Sequence, residues 1–294
     1  MSAVSISEVG TFKAQDYKGE LRPVWCPGCG DFGVLAALYK SMAELQLQPW
    51  NTCVVSGIGC SSRLPGYVTT FGFNSVHGRA LPVALGMKVA RPDANIIAVG
   101  GDGDGLAIGG NHFLHACRRN TDLAYFVMDN EIYGLTKGQA SPATPCGDKT
   151  KSTIYGNPEP SIDPCELALS CGATWVGRAF SGDLQGMADL MVKAMSHRGF
   201  AFLNIMSPCV TWRGDDQYRT LRSIVRKLPA DHDVSSMSEA RRYVREKDVM
   251  TVGLLYRNQE PSLLDRIAGI ERRVGQKVMT TADILEAYGA KKRT

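Results

Sequence analysis

Apolar residues in the first two-thirds of the chain follow two different spacings. Between 34 and 45 they recur every three or four positions, which is typical of a helix with one buried face, and Asp31 stands where a cap would be. Helical spacing returns over 79–90 and 106–117. Continuous apolar runs, typical of buried strands, lie at 52–56, 95–100 and 123–129. Strands that alternate with helices predict an α/β fold built on a doubly wound parallel sheet.

A last unit of strand, helix and strand ends the predicted core, at 173–180, 183–197 and 200–206. Before it, residues 137–164 are rich in Gly, Pro, Ser and Thr and predict a long loop. Distinctive motifs follow the predicted strands, in loops at 57–62, 101–105, 130–136 and 207–209. Ligands of doubly wound sheets bind outside the carboxyl ends of the strands, so we expect these four loops to meet at one edge.

Charge separates the last third of the chain from the rest. Residues 210–294 hold 17 of the 33 basic and 12 of the 29 acidic residues. This predicts an exposed, helix-rich extension behind a compact core. We therefore expect an N-terminal segment, a cofactor-binding domain and a charged C-terminal extension, at 1–20, 21–214 and 215–294.

The overall composition excludes several classes of protein. The 294 residues carry a net charge of +4, too small for a dedicated nucleic-acid binder. Apolar runs such as the one at 96–99 are far shorter than the roughly 20 residues of a membrane span. The N-terminus lacks the pattern of a secretory signal, which favours a cytoplasmic protein. Nine cysteines, an odd number, argue against a full set of disulfides and for metal binding or catalysis.

A turn rich in glycine and aspartate ends the strand at 95–100. The glycines of 101–105 let backbone N–H groups approach an anion, and the helix start that follows favours negative charge. Asp102 in that turn would repel a bare phosphate, so it indicates an intervening cation. Asn130, 28 positions later, follows the next strand and adds an oxygen ligand of the kind that Mg²⁺ takes. At this spacing the two residues match the thiamine-diphosphate motif, and by analogy the Ile132 carbonyl is a third metal ligand.

Thiols form a second group of candidate ligands. Cys26 and Cys29 make a tight Cys-x-x-Cys turn, which suits zinc, an iron–sulfur cluster or thiol redox chemistry. Cys60 and Cys209 lie in two of the loops at the expected ligand edge, and four thiolates there would suit a 4Fe-4S cluster. Weaker candidates, in or beside the long loop, are Cys146 and Cys165. Spacing alone leaves zinc and an iron–sulfur cluster both open.

Taken in order, these motifs resemble the β subunits of the 2-oxoacid:ferredoxin oxidoreductases, over about 21–214. The matching stretches are 25–30, 56–61, 77–80, 101–105, 130–136 and 207–211. The resemblance implies that a 4Fe-4S cluster is held by Cys26, Cys29, Cys60 and Cys209. It implies cofactor contacts at Ile58, Gly59, Cys60, Ser61, His77, Gly78, Arg79, Ala80, Gly103, Asp104, Gly134 and Leu135. It also places Lys137 near the substrate and, with His77, among the catalytic residues.

The resemblance further implies an activity. A 2-oxo acid would be decarboxylated oxidatively with thiamine diphosphate and Mg²⁺, coenzyme A would take the acyl group, and electrons would pass through the cluster to ferredoxin. Residues 132–139 and 207–211 resemble the 2-oxoglutarate branch more than the pyruvate branch, which stays the alternative. Two other hypotheses keep zinc in place of the cluster: a non-redox thiamine-diphosphate decarboxylase or synthase, and an assembly subunit without activity.

Thiamine chemistry generally needs a glutamate beside the aminopyrimidine ring, and none of the glutamates before the turn at 101–105 resembles a buried catalytic acid. Those before the turn at 101–105 are Glu8, Glu20 and Glu44, which lie in a polar segment or near a helix end. We therefore expect an α subunit to supply the glutamate, and with it the coenzyme A site, in an assembly of two heterodimers.

Overall fold

The computed structural model describes residues 10–275 and 279–289, and an eight-stranded sheet organises them. Its strands in chain order are β1 (Thr52–Ser56), β2 (Phe71–Asn74), β3 (Asn95–Gly101), β4 (Leu123–Asp129), β5 (Trp175–Phe180), β6 (Phe200–Met206), β7 (Val225–Lys227) and β8 (Met250–Arg257). Across the sheet they lie in the order β2-β1-β3-β4-β6-β5-β8-β7. The first six strands of that order are mutually parallel, which confirms the predicted doubly wound α/β fold.

Helices cover both faces of the sheet. In chain order they are α1 (Asp31–Glu44), α2 (Ala80–Ala90), α3 (Gly110–Arg119), α4 (Pro164–Ser170), α5 (Leu184–Met195), α6 (Val210–Arg213), α7 (Gln217–Ile224), α8 (Met237–Val244), α9 (Leu263–Val274) and α10 (Thr281–Ala287). Short 3-10 segments lie at Ala14–Tyr17, Pro49–Asn51 and Ser61–Tyr67, and a π-helix lies at Gly103–Ile108. None of these described helices is long and apolar enough to cross a membrane.

The central strand β4 is buried along its whole length because helices pack on both of its sides. Phe126 lies on the face that α1 and α5 cover. Its neighbour Tyr125 lies on the opposite face, against Phe113 of α3. This burial on two sides explains why continuous apolar runs, rather than alternating ones, mark the central strands in the sequence.

The region after residue 215 differs from the exposed extension that its charge predicts. β8 joins the sheet antiparallel to β5, and β7 pairs with β8 at the sheet edge. Leu255 of β8 and Ala240 of α8 are fully buried. Charge is a poor guide here because the charged residues lie on exposed faces of elements whose other faces are buried. The strands after the boundary predicted at 215 therefore belong to the same sheet as those before it. Because β8 is antiparallel to β5, the sheet is mixed rather than wholly parallel.

Exposure increases only later in the chain, where the first turns of α9 are half-buried and α10 is almost wholly exposed. Neither α9 nor α10 contains a buried residue. The N-terminal segment, by contrast, packs against the domain: Tyr17 is fully buried and donates its hydroxyl to the Leu47 carbonyl at 2.6 Å. Residues 1–9 of the predicted segment 1–20 lie outside the described residues.

Candidate functional site

The loops after β1, β3, β4 and β6 meet at the carboxyl edge of the sheet, as the sequence predicts, and enclose two adjacent cavities. The Gly-Asp cavity has a volume of about 150 Å³ and is lined by 58–61, 101–104, 130 and 132–136, with His77 and Met128. The cysteine cavity has a volume of about 320 Å³, and its lining includes Trp25, Cys26, Cys29, Cys60, Lys137, Cys209 and Trp212. Both cavities are bordered by Cys60, Asn130, Gly134 and Leu135.

The end of β3 places Asp102 in the Gly-Asp cavity. Its side chain is buried, and one carboxylate oxygen accepts a hydrogen bond from the Ser141 hydroxyl at 2.5 Å. Burial, together with the nearby charge of Asp129, raises the pKa of Asp102 well above its usual range. A cation at this position would stabilise the ionised carboxylate because it replaces the solvation that burial removes.

Asn130 and Ile132 follow β4 and line the same cavity as Asp102. The side-chain oxygen of Asn130 accepts the Ile132 backbone N–H at 3.1 Å, which folds this loop into a tight turn. The structure thus brings together the three residues that the sequence predicts as magnesium ligands. Their oxygen donors fit Mg²⁺, which commonly takes its remaining ligands from water and phosphate.

The Gly-Asp turn continues into the π-helix, a conformation that is frequent at functional sites. Gly103 is required at its start because a Cβ there would lie 2.2 Å from the Tyr133 ring. Tyr133 in turn donates its hydroxyl to the Gly103 carbonyl at 3.2 Å. Tyr133, from the loop after β4, therefore packs directly on the Gly103 backbone and forms one wall of the cavity.

Asp104 holds three loops together. One of its carboxylate oxygens accepts the backbone N–H groups of Ile58 (3.0 Å) and Gly78 (2.7 Å) and lies 2.7 Å from Nδ1 of His77. The other oxygen is buried and has no hydrogen-bond partner among the described residues. A Cβ on Gly57 would lie only 2.0 Å from that oxygen. Asp104 therefore fixes the loops whose neighbouring residues form the cavity wall.

Three residues predicted as cofactor contacts do not line either cavity: Gly78, Arg79 and Ala80. Gly78 directs its N–H to Asp104, and the Arg79 guanidinium donates to the Ile108 carbonyl at 3.3 Å. Ala80 is buried at the start of α2. These three residues follow His77 in one sequence motif. In the folded chain, however, only His77 lines the Gly-Asp cavity.

His77 stays in the wall of the Gly-Asp cavity, with 39% of its side chain exposed. Because Asp104 holds Nδ1, the second ring nitrogen is left to accept or hold a proton. Lys137, the other predicted catalytic residue, is exposed and borders the cysteine cavity instead. Its backbone adopts a left-handed φ of 80°, a conformation that favours glycine. Residues other than glycine that adopt it are found more often at functional sites.

Contacts between loops bring the thiols to the cysteine cavity. The turn at 26–29 closes with a backbone hydrogen bond of 3.0 Å between its two cysteines. The Gly30 N–H then donates to the proline carbonyl of the 207–209 loop at 3.0 Å. The Trp25 indole N–H donates to the Cys60 carbonyl at 2.8 Å, which joins the β1 loop to the same group.

Gly134 lies between the two cavities. A Cβ at this position would lie 3.6 Å from the Cys209 sulfur and 3.7 Å from the Cys60 sulfur. The Gly134 carbonyl accepts the Trp212 indole N–H at 2.9 Å, which holds the loop in place. Two thiols of the cysteine cavity therefore flank the backbone that also borders the Gly-Asp cavity.

Burial raises the pKa of three of the four thiols: Cys29, Cys60 and Cys209. The pKa of Cys60 rises to about 12, and the nearby charge of Asp31 acts in the same direction. Thiolates in such surroundings need a cationic centre to stabilise them. Within 10–275 and 279–289, no group of His, Cys, Asp or Glu is arranged around a single metal ion. A 4Fe-4S cluster needs no such convergence because each cysteine binds a different iron, so four thiols around one cavity fit it.

Five further cysteines border neither cavity: Cys53, Cys117, Cys146, Cys165 and Cys171. Cys117 and Cys165 are fully buried in the apolar core, and Cys146 is exposed on the long loop. The weaker candidates, Cys146 and Cys165, therefore stay apart from the four predicted ligands.

Sequence reasoning missed Ser141 and Trp212 at this site. Each reaches its partner across a long stretch of chain, 39 positions from Asp102 for Ser141 and 78 from Gly134 for Trp212. No local spacing carries that information. The glutamates behave as expected where they are described: Glu20 and Glu44 are exposed, and Glu8 lies outside the described residues.

Two families match successive parts of the chain. The family described as thiamine pyrophosphate enzyme, C-terminal TPP binding domain, matches residues 57–205. The family described as the C-terminal part of the pyruvate ferredoxin oxidoreductase beta chain matches residues 209–272. The second match covers β7 and β8, which belong to the same sheet as the strands of the first match, and it also covers α8.

Curated proteins and solved structures point the same way. The chain is 39% identical over 257 residues to the 2-oxoacid:ferredoxin oxidoreductase 2, subunit beta, of Aeropyrum pernix, across 83% of each chain. It is 44% identical over 210 residues to the 2-oxoglutarate oxidoreductase subunit KorB of Mycobacterium tuberculosis, across 71% of this chain and 56% of that one. A structure of 2-oxoglutarate:ferredoxin oxidoreductase from Magnetococcus marinus, with 2-oxoglutarate, coenzyme A and succinyl-CoA bound, superposes with a TM-score of 0.92 at 41% identity, across 96% of this chain and 97% of that one.

Proposed function

The chain belongs to the β subunits of the 2-oxoacid:ferredoxin oxidoreductases. From that premise we propose that it acts with an α subunit in the oxidative decarboxylation of 2-oxoglutarate, in which carbon dioxide leaves, coenzyme A takes the acyl group and two electrons are passed on. Thiamine diphosphate and Mg²⁺ bind in the Gly-Asp cavity. Cys26, Cys29, Cys60 and Cys209 would hold a 4Fe-4S cluster, which would supply single-electron transfer to ferredoxin. The proposal includes a cytoplasmic location, since an odd number of cysteines suits a reducing compartment.

The observation that carries this proposal is the wall shared by the two cavities. Cys60 and Gly134 border both the cavity with oxygen ligands and the cavity with thiols. The cofactor at which the 2-oxo acid would be oxidised and the cluster that would accept the electrons would thus be neighbours. A non-redox thiamine enzyme has no need of four thiols against its cofactor site, and the shared wall therefore argues against the zinc alternatives.

Bound thiamine diphosphate supplies stabilisation of a carbanion, and a bound 4Fe-4S cluster supplies transfer of single electrons. The chain's own part is to hold and orient. Asp102, Asn130 and the Ile132 carbonyl bind the cation that neutralises the diphosphate. Asp104 fixes the loops of the wall, and it orients His77 so that the free ring nitrogen can hold a proton at the cavity.

The site also requires a partner chain. Ile58 and Leu135 border the Gly-Asp cavity, yet 46% and 52% of these apolar side chains are exposed. A covering subunit would bury them and exclude water from the cofactor. We propose that the α subunit does this, supplies the glutamate for the aminopyrimidine ring and brings the coenzyme A site, in an assembly of two heterodimers.

The split site is tested by expressing this chain alone and loading it with cluster, Mg²⁺ and thiamine diphosphate. We expect no oxidation of 2-oxo acid, and activity when the α subunit is added. Full turnover by the single chain would refute the split site.

The cluster is tested by anaerobic purification. We expect brown protein with broad visible absorption that dithionite bleaches, and iron and sulfide that track the absorption. A colourless protein with stoichiometric zinc would instead favour the non-redox enzyme or the assembly subunit.

The choice of substrate rests on the names of the relatives and on Lys137. Lys137 borders the cysteine cavity, three residues after Gly134 of the shared wall, and an ammonium group there would suit the distal carboxylate of 2-oxoglutarate, which pyruvate lacks. Reduction of ferredoxin with each acid decides between them, and a preference for pyruvate would overturn the choice. We expect Lys137→Ala to raise the KM for 2-oxoglutarate more than that for pyruvate. The matched control is Lys149→Ala, an exposed lysine that borders neither cavity.

A further inference from the structure

Arg213 joins three segments around the two cavities. It ends α6, the short helix after Cys209, where its backbone N–H donates to the Cys209 carbonyl at 2.9 Å. Its guanidinium is mostly buried, and one terminal nitrogen lies 2.9 Å from a Glu131 carboxylate oxygen and 2.8 Å from one of Asp148. Glu131 belongs to the loop after β4, and Asp148 to the long loop at 137–164. One side chain therefore connects the loops after β6 and β4 with the long loop.

Glu131 lies between the proposed magnesium ligands Asn130 and Ile132, and these three residues are named the magnesium turn here. The two ligands line the Gly-Asp cavity, whereas Glu131 does not and instead meets Arg213. The backbone of Glu131 has a φ of 57°, a left-handed conformation that costs free energy for a residue with a side chain. Contacts from outside the turn hold it there: Arg213 at the carboxylate, and the Thr144 hydroxyl, which donates to the Glu131 carbonyl at 2.6 Å. Arg213 and the long loop thus support the magnesium turn from behind.

The long loop also supports Asp102, the third proposed ligand. Ser141 of this loop donates its hydroxyl to Asp102 at 2.5 Å, and its own N–H donates to the Thr144 hydroxyl at 2.8 Å. Thr144 is the residue that contacts the magnesium turn. Asp148 follows four positions later and is bound by Arg213. Arg213 thus fastens the long loop to the magnesium turn at a second point, beside the contact through Thr144.

Resting on the proposed function, we propose that Arg213 is a positioning residue: it holds the magnesium turn against the long loop and thereby raises the affinity of the Gly-Asp cavity for Mg²⁺. The physical reason is geometric. Mg²⁺ demands a nearly ideal octahedron of ligands, so a displaced turn would bind it more weakly. An arginine suits this role because its guanidinium keeps its charge and its hydrogen-bond donors across the physiological pH range. The support therefore depends on no change of protonation.

The test measures binding of thiamine diphosphate to the complete αβ complex by calorimetry at a series of Mg²⁺ concentrations, with iron content in parallel. For Arg213→Gln we expect the half-saturating Mg²⁺ concentration to rise about 10- to 100-fold, the range typical of residues that orient metal ligands. The affinity for thiamine diphosphate at saturating Mg²⁺ and the iron content should stay close to the wild type. Impairment of all three quantities would show a general structural role and overturn the inference.

Arg245→Gln is the matched control. Arg245 also joins two segments through a carboxylate, that of Glu166, but it lies away from both cavities. We expect this variant to need the same Mg²⁺ concentration as the wild type.

Asp148→Ala breaks the same connection at its other end. We expect the half-saturating Mg²⁺ concentration to rise in this variant too. The double variant Arg213→Gln with Asp148→Ala should need no more Mg²⁺ than Arg213→Gln alone, because both changes remove one shared contact. Additive losses would mean that the two residues act separately, and they would overturn the inference.

An unchanged requirement for Mg²⁺ in Arg213→Gln would overturn the inference as well. If that variant does not fold, Asp148→Ala decides: a raised requirement supports the inference, and an unchanged one overturns it. A wild-type complex that binds thiamine diphosphate independently of Mg²⁺ would refute the proposed cation site itself, so the two failures can be told apart.

Discussion

The Gly-Asp cavity and the cysteine cavity share a wall but are held in different ways. In the first, polar side chains form defined hydrogen bonds: Asp104 alone receives two backbone N–H groups and faces His77. In the second, backbone contacts between loops position the thiols, whose pKa values burial raises. Hydrogen bonds within the chain thus organise the oxygen site, whereas the thiol site would be completed by the cluster that we propose for it. The difference agrees with ligand preference, since hard cations such as Mg²⁺ take oxygen ligands and softer metal centres take thiolates.

The largest effect is expected from Cys209→Ser, which removes one thiolate from the cysteine cavity. Iron and sulfide should fall to background, because serine is a poor ligand for an iron–sulfur cluster. Affinity for thiamine diphosphate should be retained, since the oxygen ligands are untouched. Elemental analysis and calorimetry measure the two quantities. Cys171→Ser, away from both cavities, is the control, and normal iron in Cys209→Ser would remove this residue from the ligand set.

Asp102→Ala should have the opposite effect: it should impair the Gly-Asp cavity and leave the cysteine cavity intact. Loss of this carboxylate removes a charged ligand of the cation, so magnesium-dependent binding of thiamine diphosphate should be abolished while iron content stays normal. The free energy of unfolding without cofactor should not decrease, because the substitution removes a carboxylate whose pKa burial has raised. Asp231→Ala, at an exposed position, is the control. Unchanged cofactor affinity in Asp102→Ala would show that the turn is structural only.

A smaller effect is expected from Asp104→Asn, which tests the internal organisation of the Gly-Asp cavity. The amide oxygen can still accept backbone N–H groups, but the charge that orients His77 is lost. We expect kcat to fall about 10- to 100-fold, the range typical of residues that orient a ligand from behind, with a lesser change in cofactor affinity. Steady-state kinetics of the αβ complex measures this, with Asp189→Asn as an exposed control. Equal losses in kcat and affinity would mean that Asp104 contacts the cofactor directly.

The smallest effects concern two glycines: Gly103 in the wall of the Gly-Asp cavity, and Gly134 in the wall that the two cavities share. A Cβ on Gly103 would lie 2.2 Å from the Tyr133 ring, so Gly103→Ala should lower the free energy of unfolding by about 1–3 kcal/mol. A Cβ on Gly134 would lie 3.6 Å from Cys209, an ordinary contact, and Gly134→Ala should change stability by less than about 0.5 kcal/mol. Urea denaturation of the chain without cofactors compares them. Equal destabilisation would contradict the view that the chain packs tightly around Gly103 but not around the shared wall at Gly134.

Sequence alone determined the parallel core and the identity of the loops that carry the site. Helical and strand spacings are local properties that can be read from the sequence. Ligands of doubly wound sheets bind outside the carboxyl ends of the strands, so the loops that follow the predicted strands can be assigned to one edge of the sheet. The predicted magnesium ligands Asp102, Asn130 and Ile132 line one cavity for that reason. The four predicted cluster cysteines also line one cavity, but their choice needed the family resemblance, because spacing alone left zinc open.

Other features depended on tertiary structure. The edge strand β2 has only four residues, all exposed, which is too short a stretch for a pattern to identify, so its pairing with β1 reveals it. Charge counts misjudged β8, because they register the exposed face of an element and not the buried one. Arg79 belongs to a motif that resembles a cofactor-binding one, yet its guanidinium turns to the Ile108 carbonyl. Asp31, predicted as the cap of α1, instead accepts the Ser207 hydroxyl at 2.6 Å, and Ser141 also gains its partner from a distant segment. Contacts between distant segments exist only once the chain has folded.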